Sequence, residues 1–190
     1  MPSILIPAAE LDEAQRLSAA EWAQAALPAH YETLNPAIAR AAIAAEFAVE
    51  GSELANALAA VDGRDVVGLV AGFPLEELAL RQRVSLHHLL TSLPPDAVAD
   101  LVANARVRAG DVPPIAGGGY YLARIGVAPH ARGGHVAGEL LGAFLQQAGS
   151  RDAVLHVHAD NARAVAFYQR NGFAIEDRAK PYWIMRRTAV

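Results

Sequence analysis

Cysteine is absent from the 190 residues, which excludes disulfides, thiolate zinc sites and a cysteine nucleophile. An excess of positive charge is absent too. Sixteen Lys and Arg stand against 20 Asp and Glu, a formal net charge of −4. No general nucleic-acid binding is expected, although a local basic site for phosphates fits within that balance. No apolar run reaches about 18 residues without an interrupting charge, so no membrane span is expected. The opening segment, Met1 to Pro7, lacks the basic flank and long apolar run of a signal peptide. The chain is read as soluble and cytoplasmic.

What the sequence does contain is 53% apolar against 19% charged residues, the balance of an ordered chain. Much of the apolar part is alanine, which favours helix but buries little area per residue. Many helices on a modest sheet follow from this. The length suits one domain, residues 1–190, with a sizeable core.

Residues 3–6 read as a short strand and Glu10 to Ala26 as an amphipathic helix stopped by Pro28. Asn35-Pro36 starts a second helix, to about Val49. Leu58 to Val61 and Val66 to Phe73, joined by Asp62-Gly63-Arg64-Asp65, form a hairpin pattern. Leu75, Leu78, Ala79, Gln82, Leu86, Leu89 and Leu90 make a helical stripe that Pro94-Pro95 ends, and Asp96 is placed as the cap of a further helix. Residues 110–119 have loop composition. A strand at 120–127, a helix at 134–148, a strand at 153–158, a helix at 161–171 and strands at 173–178 and 182–188 complete the chain. The fold class is α/β (α+β), with residues 74–118 as an inserted helical hairpin and loop.

The chemistry concentrates at 125–137. A strand ends at Val127, a turn containing Pro129 follows, and Arg132-Gly133-Gly134 leads into a helix whose apolar face runs from Val136 to Ala148. That start carries no Ser, Thr, Asp or Asn to cap it. Its first N–H groups are left for an outside acceptor, and the helix dipole favours an anion there. Arg132 adds a charge whose fork geometry suits phosphate oxygens. Alone, an Arg-Gly-Gly is more often a tight strand-to-helix connection. Downstream, Asn161 and Tyr168 lie two turns apart on one helix face, and Gly172 ends that helix. Each alone is more often a cap or a packing residue.

Together the two segments resemble the GNAT family of N-acetyltransferases. Val127-Ala-Pro-His-Ala-Arg132-Gly133-Gly-His-Val-Ala137, followed by Leu140-Leu141, is similar to its acetyl-CoA motif of Val-x-Pro, then Arg-Gly-x-Gly-x-Gly or Ala, then a Leu pair. Asn161-Ala-Arg-Ala-Val-Ala-Phe167-Tyr168-Gln-Arg170-Asn-Gly172-Phe173 is similar to its second motif, at the family's separation. The resemblance covers residues 120–190 well and the first half in coarse element order. His135 departs from it, standing where the family has its middle glycine.

The resemblance implies a mixed, mostly antiparallel sheet flanked by helices and direct acyl transfer, usually acetyl, from acetyl-CoA to an amine. No metal is expected. By the same resemblance, Ile125, Gly126 and Val127 would pair with the pantetheine arm, and the backbone of Arg132, Gly133, Gly134, His135, Val136 and Ala137 would hold the pyrophosphate. Asn161 would order the cofactor side of the cleft, and Arg170 would approach the adenosine phosphate. Tyr168 would be the general acid as well as a cofactor contact, since a tyrosine stays protonated at neutral pH. The strand 120–127 holds no Asp or Glu. Tyr120, Tyr121, Glu76, Glu77, His156, His158 or a water chain are therefore left as base candidates. The 74–118 hairpin reads as a lid on the acceptor side, as the contact of a homodimer, or as a packing elaboration. The alternative to an enzyme is a CoA-binding module of the same fold without turnover. The acceptor is a small-molecule or protein amine.

Overall fold

A computed structural model describes residues 3–108, 110–179 and 181–189. Residues 1, 2, 109, 180 and 190 lie outside them, at the ends of the expected domain, in the expected insertion and between the last two strands. Seven strands form one sheet: β1 (Ile4–Pro7), β2 (Leu58–Asp62), β3 (Asp65–Pro74), β4 (Tyr120–Val127), β5 (Ala153–His158), β6 (Ala174–Asp177) and β7 (Tyr182–Arg187). Their order is β1-β2-β3-β4-β5-β7-β6. Every neighbouring pair is antiparallel except β4 with β5. The helices are α1 (Glu13–Ala26), α2 (Pro28–Tyr31), α3 (Pro36–Glu46), α4 (Leu78–Ser92), α5 (Pro95–Arg108), α6 (Val136–Ala148) and α7 (Ala162–Arg170). This is the mixed, mostly antiparallel sheet with flanking helices that the sequence leads one to expect, and α4 and α5 form the helical hairpin between β3 and β4.

Helix ends follow local chemistry. Asp12 caps α1 in a reciprocal box with Gln15, and the Asn35 side chain accepts from the Ala37 and Ile38 N–H groups at the start of α3. Helix α3 stops at Glu46 rather than Val49, because Ala48 and Val49 donate to carbonyls three residues back and tighten the final turn. Helix α5 starts at Pro95, so Asp96 lies inside the first turn, where its carboxylate suits the dipole. Proline opens that helix because it has no N–H to leave unpaired.

Both faces of the sheet are covered. On one, α1, α3, α4 and α5 pack Ile43, Phe47, Leu89 and Leu101 with Ala59, Leu69 and Ala71. On the other, Leu140, Leu141, Phe144 and Tyr168 of α6 and α7 pack with Val70, Leu122, Leu155 and Met185. Strand β3 is buried over nearly its whole length, as a strand covered on both sides must be. The hairpin excursion opens and closes at one point: Pro74 pairs with Tyr120 and the Leu75 N–H donates to the Gly119 carbonyl at 3.0 Å.

Helix α1 crosses β4 at Gly126. A Cβ there would fall well inside contact distance of the Trp22 carbonyl oxygen. Backbone cannot yield as a side-chain tip can, and the indole N–H of Trp22 is itself held by the Val66 carbonyl at 2.7 Å. Gly126→Ala is expected to destabilise the fold by about 3 kcal/mol, the upper end of overpacking costs. Urea unfolding should report it as a lower midpoint at unchanged slope.

Candidate functional site

The site is built around a fork in the sheet. Strand β4 pairs with β3 from Tyr120 to Val127, but with β5 only through Tyr120↔Ala153 and Tyr121↔Val154. Beyond that point β5 stays paired with β7 through His158. The β5-facing edge of β4 from Leu122 onward is therefore open, a row of backbone donors and acceptors without a neighbouring strand. A bulge lies at the same place. Ala71 opposes Arg124 and Gly72 opposes Leu122, leaving Ala123 as the extra residue. The bulge restarts the alternation, so Tyr121 and Arg124 both face the α3/α4 side despite their odd spacing.

The open edge leads to the turn expected from Arg132-Gly133-Gly134. Residues 129–131 form one turn of 3-10 helix, and α6 begins at Val136 rather than at Gly134. No side chain caps α6, so its first-turn N–H groups face outward unpaired. The left-handed backbone falls on Gly133, with φ of 83°. A side chain would strain that position. His135 has φ of −81° and ψ of −20°, an ordinary helical conformation, and its exposed ring faces Glu139 at 3.8 Å. The backbone thus accommodates histidine at this position without strain. Arg132 donates through Nε to the Val127 carbonyl at 3.1 Å, which ties the loop to the strand end. A cleft of about 380 Å³ runs between this loop and the β2–β3 turn, lined by Asp62, Asp65, His130, Arg132, Gly134 and His135, among others.

On α7, Asn161 is the N-cap, accepting from the Ala164 N–H at 3.1 Å. Two turns on, Tyr168 is buried between the Phe167 and Phe173 rings. Burial pushes its hydroxyl well above the ordinary tyrosine pKa, so it is a proton donor at neutral pH. Among the described residues that hydroxyl has no hydrogen-bond partner. Arg170 lies exposed in the last turn of α7.

The base candidates separate clearly. Tyr120 donates to the Gly72 carbonyl within the core at 3.2 Å. Glu76 pairs with Arg151 and Glu77 with Arg81, and His158 packs against Tyr182 and faces Asp160. Tyr121 and His156 come together at the fork, with the tyrosine oxygen 3.1 Å from the imidazole Nδ1. The His156 Nε2 lies 2.8 Å from the Pro113 carbonyl. Burial lowers the His156 pKa, with the Pro113 hydrogen bond opposing it, so the ring is neutral at pH 7. Burial raises that of Tyr121, with Glu53 adding to the rise.

One group of buried residues was not singled out in the sequence. Arg124 is 7% exposed, donates to the Ala123 carbonyl at 2.8 Å and pairs with Glu53 at 3.6 Å. Burial works against its charge, but Glu53 and the Tyr31 hydroxyl outweigh that. Burial pushes Tyr31 up to about 12. Beneath lies Glu46, 2% exposed, accepting from the Ser85 hydroxyl at 2.6 Å, and the same hydroxyl accepts from the Glu53 N–H. The sole sequence signal was an arginine inside an otherwise apolar strand.

The fold is that of acetyltransferases of known structure. An N-acetyltransferase from Staphylococcus aureus Mu50 is 15% identical and superposes with a TM-score of 0.75 over 97% of this chain and 100% of that one. A PaiA N-acetyltransferase from Thermoplasma acidophilum, solved with coenzyme A, is 15% identical with a TM-score of 0.55 over 99% of each chain. The chain belongs to the GNAT acetyltransferase family, whose sequence model, described as Acetyltransferase (GNAT) family, matches residues 16–173. No curated protein sequence matches. Among the described residues no helix is long and apolar enough to cross a membrane.

The buried carboxyl gives a pH test. Burial raises the Glu46 pKa, with the Ser85 hydrogen bond and Arg124 opposing. A carboxyl raised on folding stabilises below its unfolded pKa and loses that contribution as pH rises through the folded value. Glu46→Gln keeps an acceptor for Ser85 and removes the titration. From about pH 4, the ordinary glutamate value, urea midpoints should fall for the wild type relative to Glu46→Gln as pH rises to 8. A pH-independent difference would contradict this.

Proposed function

We propose that the protein transfers an acetyl group from acetyl-CoA to a primary amine of a small molecule or protein, with Tyr168 as general acid. The observation that carries this reading is the fork. An open strand edge runs from Leu122 to an uncapped helix N-terminus, and Tyr168 packs in the same core cluster as Leu122 and Val136. Family membership supports the acyl donor.

The residues present fit that donor. The backbone of Ile125, Gly126 and Val127 would pair with an extended, amide-bearing arm as an added strand. The N–H groups from Arg132 to Ala137 would receive a pyrophosphate, with the helix dipole and the Arg132 charge assisting. Gly133 supplies the one left-handed turn the loop needs, and His135 keeps its ring on the outside. Asn161 uses its side chain to start α7, which sets the depth at which Tyr168 stands. Acetyl-CoA supplies a thioester whose carbonyl an amine attacks, with CoA thiol leaving. Tyr168, protonated and packed between Phe167 and Phe173, gives its proton where the thiolate departs.

Tyr168→Phe is expected to lower kcat about 10²-fold, the low end of general-acid contributions, while acetyl-CoA affinity by calorimetry stays unchanged. Thiol release over an amine panel provides the rate. No heat with acetyl-CoA would remove the donor site. Binding without thiol release on any amine would favour a CoA-binding module, and an unchanged kcat would remove Tyr168 from the chemistry.

A further inference from the structure

We infer that Tyr121 and His156 form the proton-accepting relay of this transfer, and that the loop before β4, clamped by Arg186, sets its direction. The inference rests on the acyl-transfer reading above. It starts from a placement: Tyr121 is the last β4 residue paired with β5, and His156 lies two residues past that pair on the diverging strand. Their hydrogen bond spans the apex of the fork, at 3.1 Å.

The direction follows from valence. The Pro113 carbonyl can only accept, so His156 Nε2 must carry the proton in their 2.8 Å contact. In the neutral ring Nδ1 is then a lone pair, and the Tyr121 hydroxyl must donate to it. The tyrosine oxygen keeps its own lone pairs for an incoming N–H. When nitrogen forms its bond to the acyl carbon, it loses a proton to Tyr121 Oη as the Tyr121 proton passes to His156 Nδ1. The imidazolium holds both protons until solvent takes one. The C–S bond breaks with its electron pair on sulfur, which takes the Tyr168 proton, and solvent restores Tyr168.

Pro113 lies in the loop between α5 and β4, and Arg186 holds that loop in place. Arg186 donates to the Gly118 and Ala116 carbonyls, each at 2.8 Å, and is fixed by Glu176 at 2.9 Å and Asp152 at 3.7 Å. Arg186 is therefore a positioning residue. The charged and titratable groups around the relay are Glu53, Arg124, Tyr168 and Tyr182, which act on Tyr121, and His158 beside His156 on the same strand face.

The first test is ¹⁵N NMR of the wild-type protein, where His156 should show a protonated Nε2 and an unprotonated Nδ1. The Nδ1–H tautomer overturns the relay. In thiol-release assays, Tyr121→Phe and His156→Gln should each lower kcat about 10²-fold, with acetyl-CoA affinity unchanged, and the double variant should be no worse than either single one. Full turnover in either variant removes the relay while leaving the acyl-transfer reading intact. A wild type that releases no thiol on any amine removes both. Arg186→Ala should move the acid limb of kcat/KM to lower pH, because the Pro113 hydrogen bond holds the His156 pKa up. It should also mix the two tautomers. An unmoved limb with a single tautomer overturns the role of Arg186.

Discussion

The parting of β4 from β5 after two residue pairs is the constraint on which the rest of the molecule depends. Strand β4 is held along one edge by β3 and released along the other, so its exposed backbone is presented at a fixed height and twist. Strand β5 cannot follow it, because β7 holds it to the end. The helix that links the two strands begins one loop beyond the end of β4, with no side chain capping its N-terminus. Tyr121 and His156 take their positions from this divergence.

The bulge at Ala123 is a second consequence of the same geometry. It lets a strand that lines a cleft also send an arginine into the opposite layer. Arg124, Glu53, Tyr31, Glu46 and Ser85 replace apolar packing there with a hydrogen-bonded polar group. Such a group adds little net stability against a hydrophobic equivalent, yet breaking it by removing one partner is costly. Alanine on α1 and α3 is the complementary device, letting helices approach the sheet closely enough to enclose these groups.

The helices and strands were legible because their signals are local: apolar periodicity, Asn35-Pro36, the absence of a cap ahead of α6. The loop after Val127 was legible for the same reason. His135 looked like a departure at a position that needs glycine, but the positive φ falls on Gly133, and only backbone angles could reveal that. Asn161 carried a capping signal and a motif signal at once, and its geometry is that of a cap. Tyr121 with His156, and Arg124 with Glu53, were out of reach for a different reason. They meet across strands through a parallel register and a bulge, and no residue type near Ala123 marks either. Pro113 sits in a segment legible only as loop.

The excursion through α4 and α5 leaves and rejoins the sheet at a single closed neck, where Pro74 faces Tyr120 and Leu75 bonds Gly119. In topological terms, β3 and β4 remain adjacent antiparallel neighbours whatever lies between them, and the entropy of closing such a loop grows only slowly with its length. The insertion is nevertheless tied in by α4 and α5, whose Leu89 and Leu101 join the core and whose Ser85 bonds Glu46. Its exposed positions, among them Leu80, Leu86 and Val107, can change while the open edge and the uncapped helix keep their places. Variation can accumulate on that outer surface without disturbing the fork.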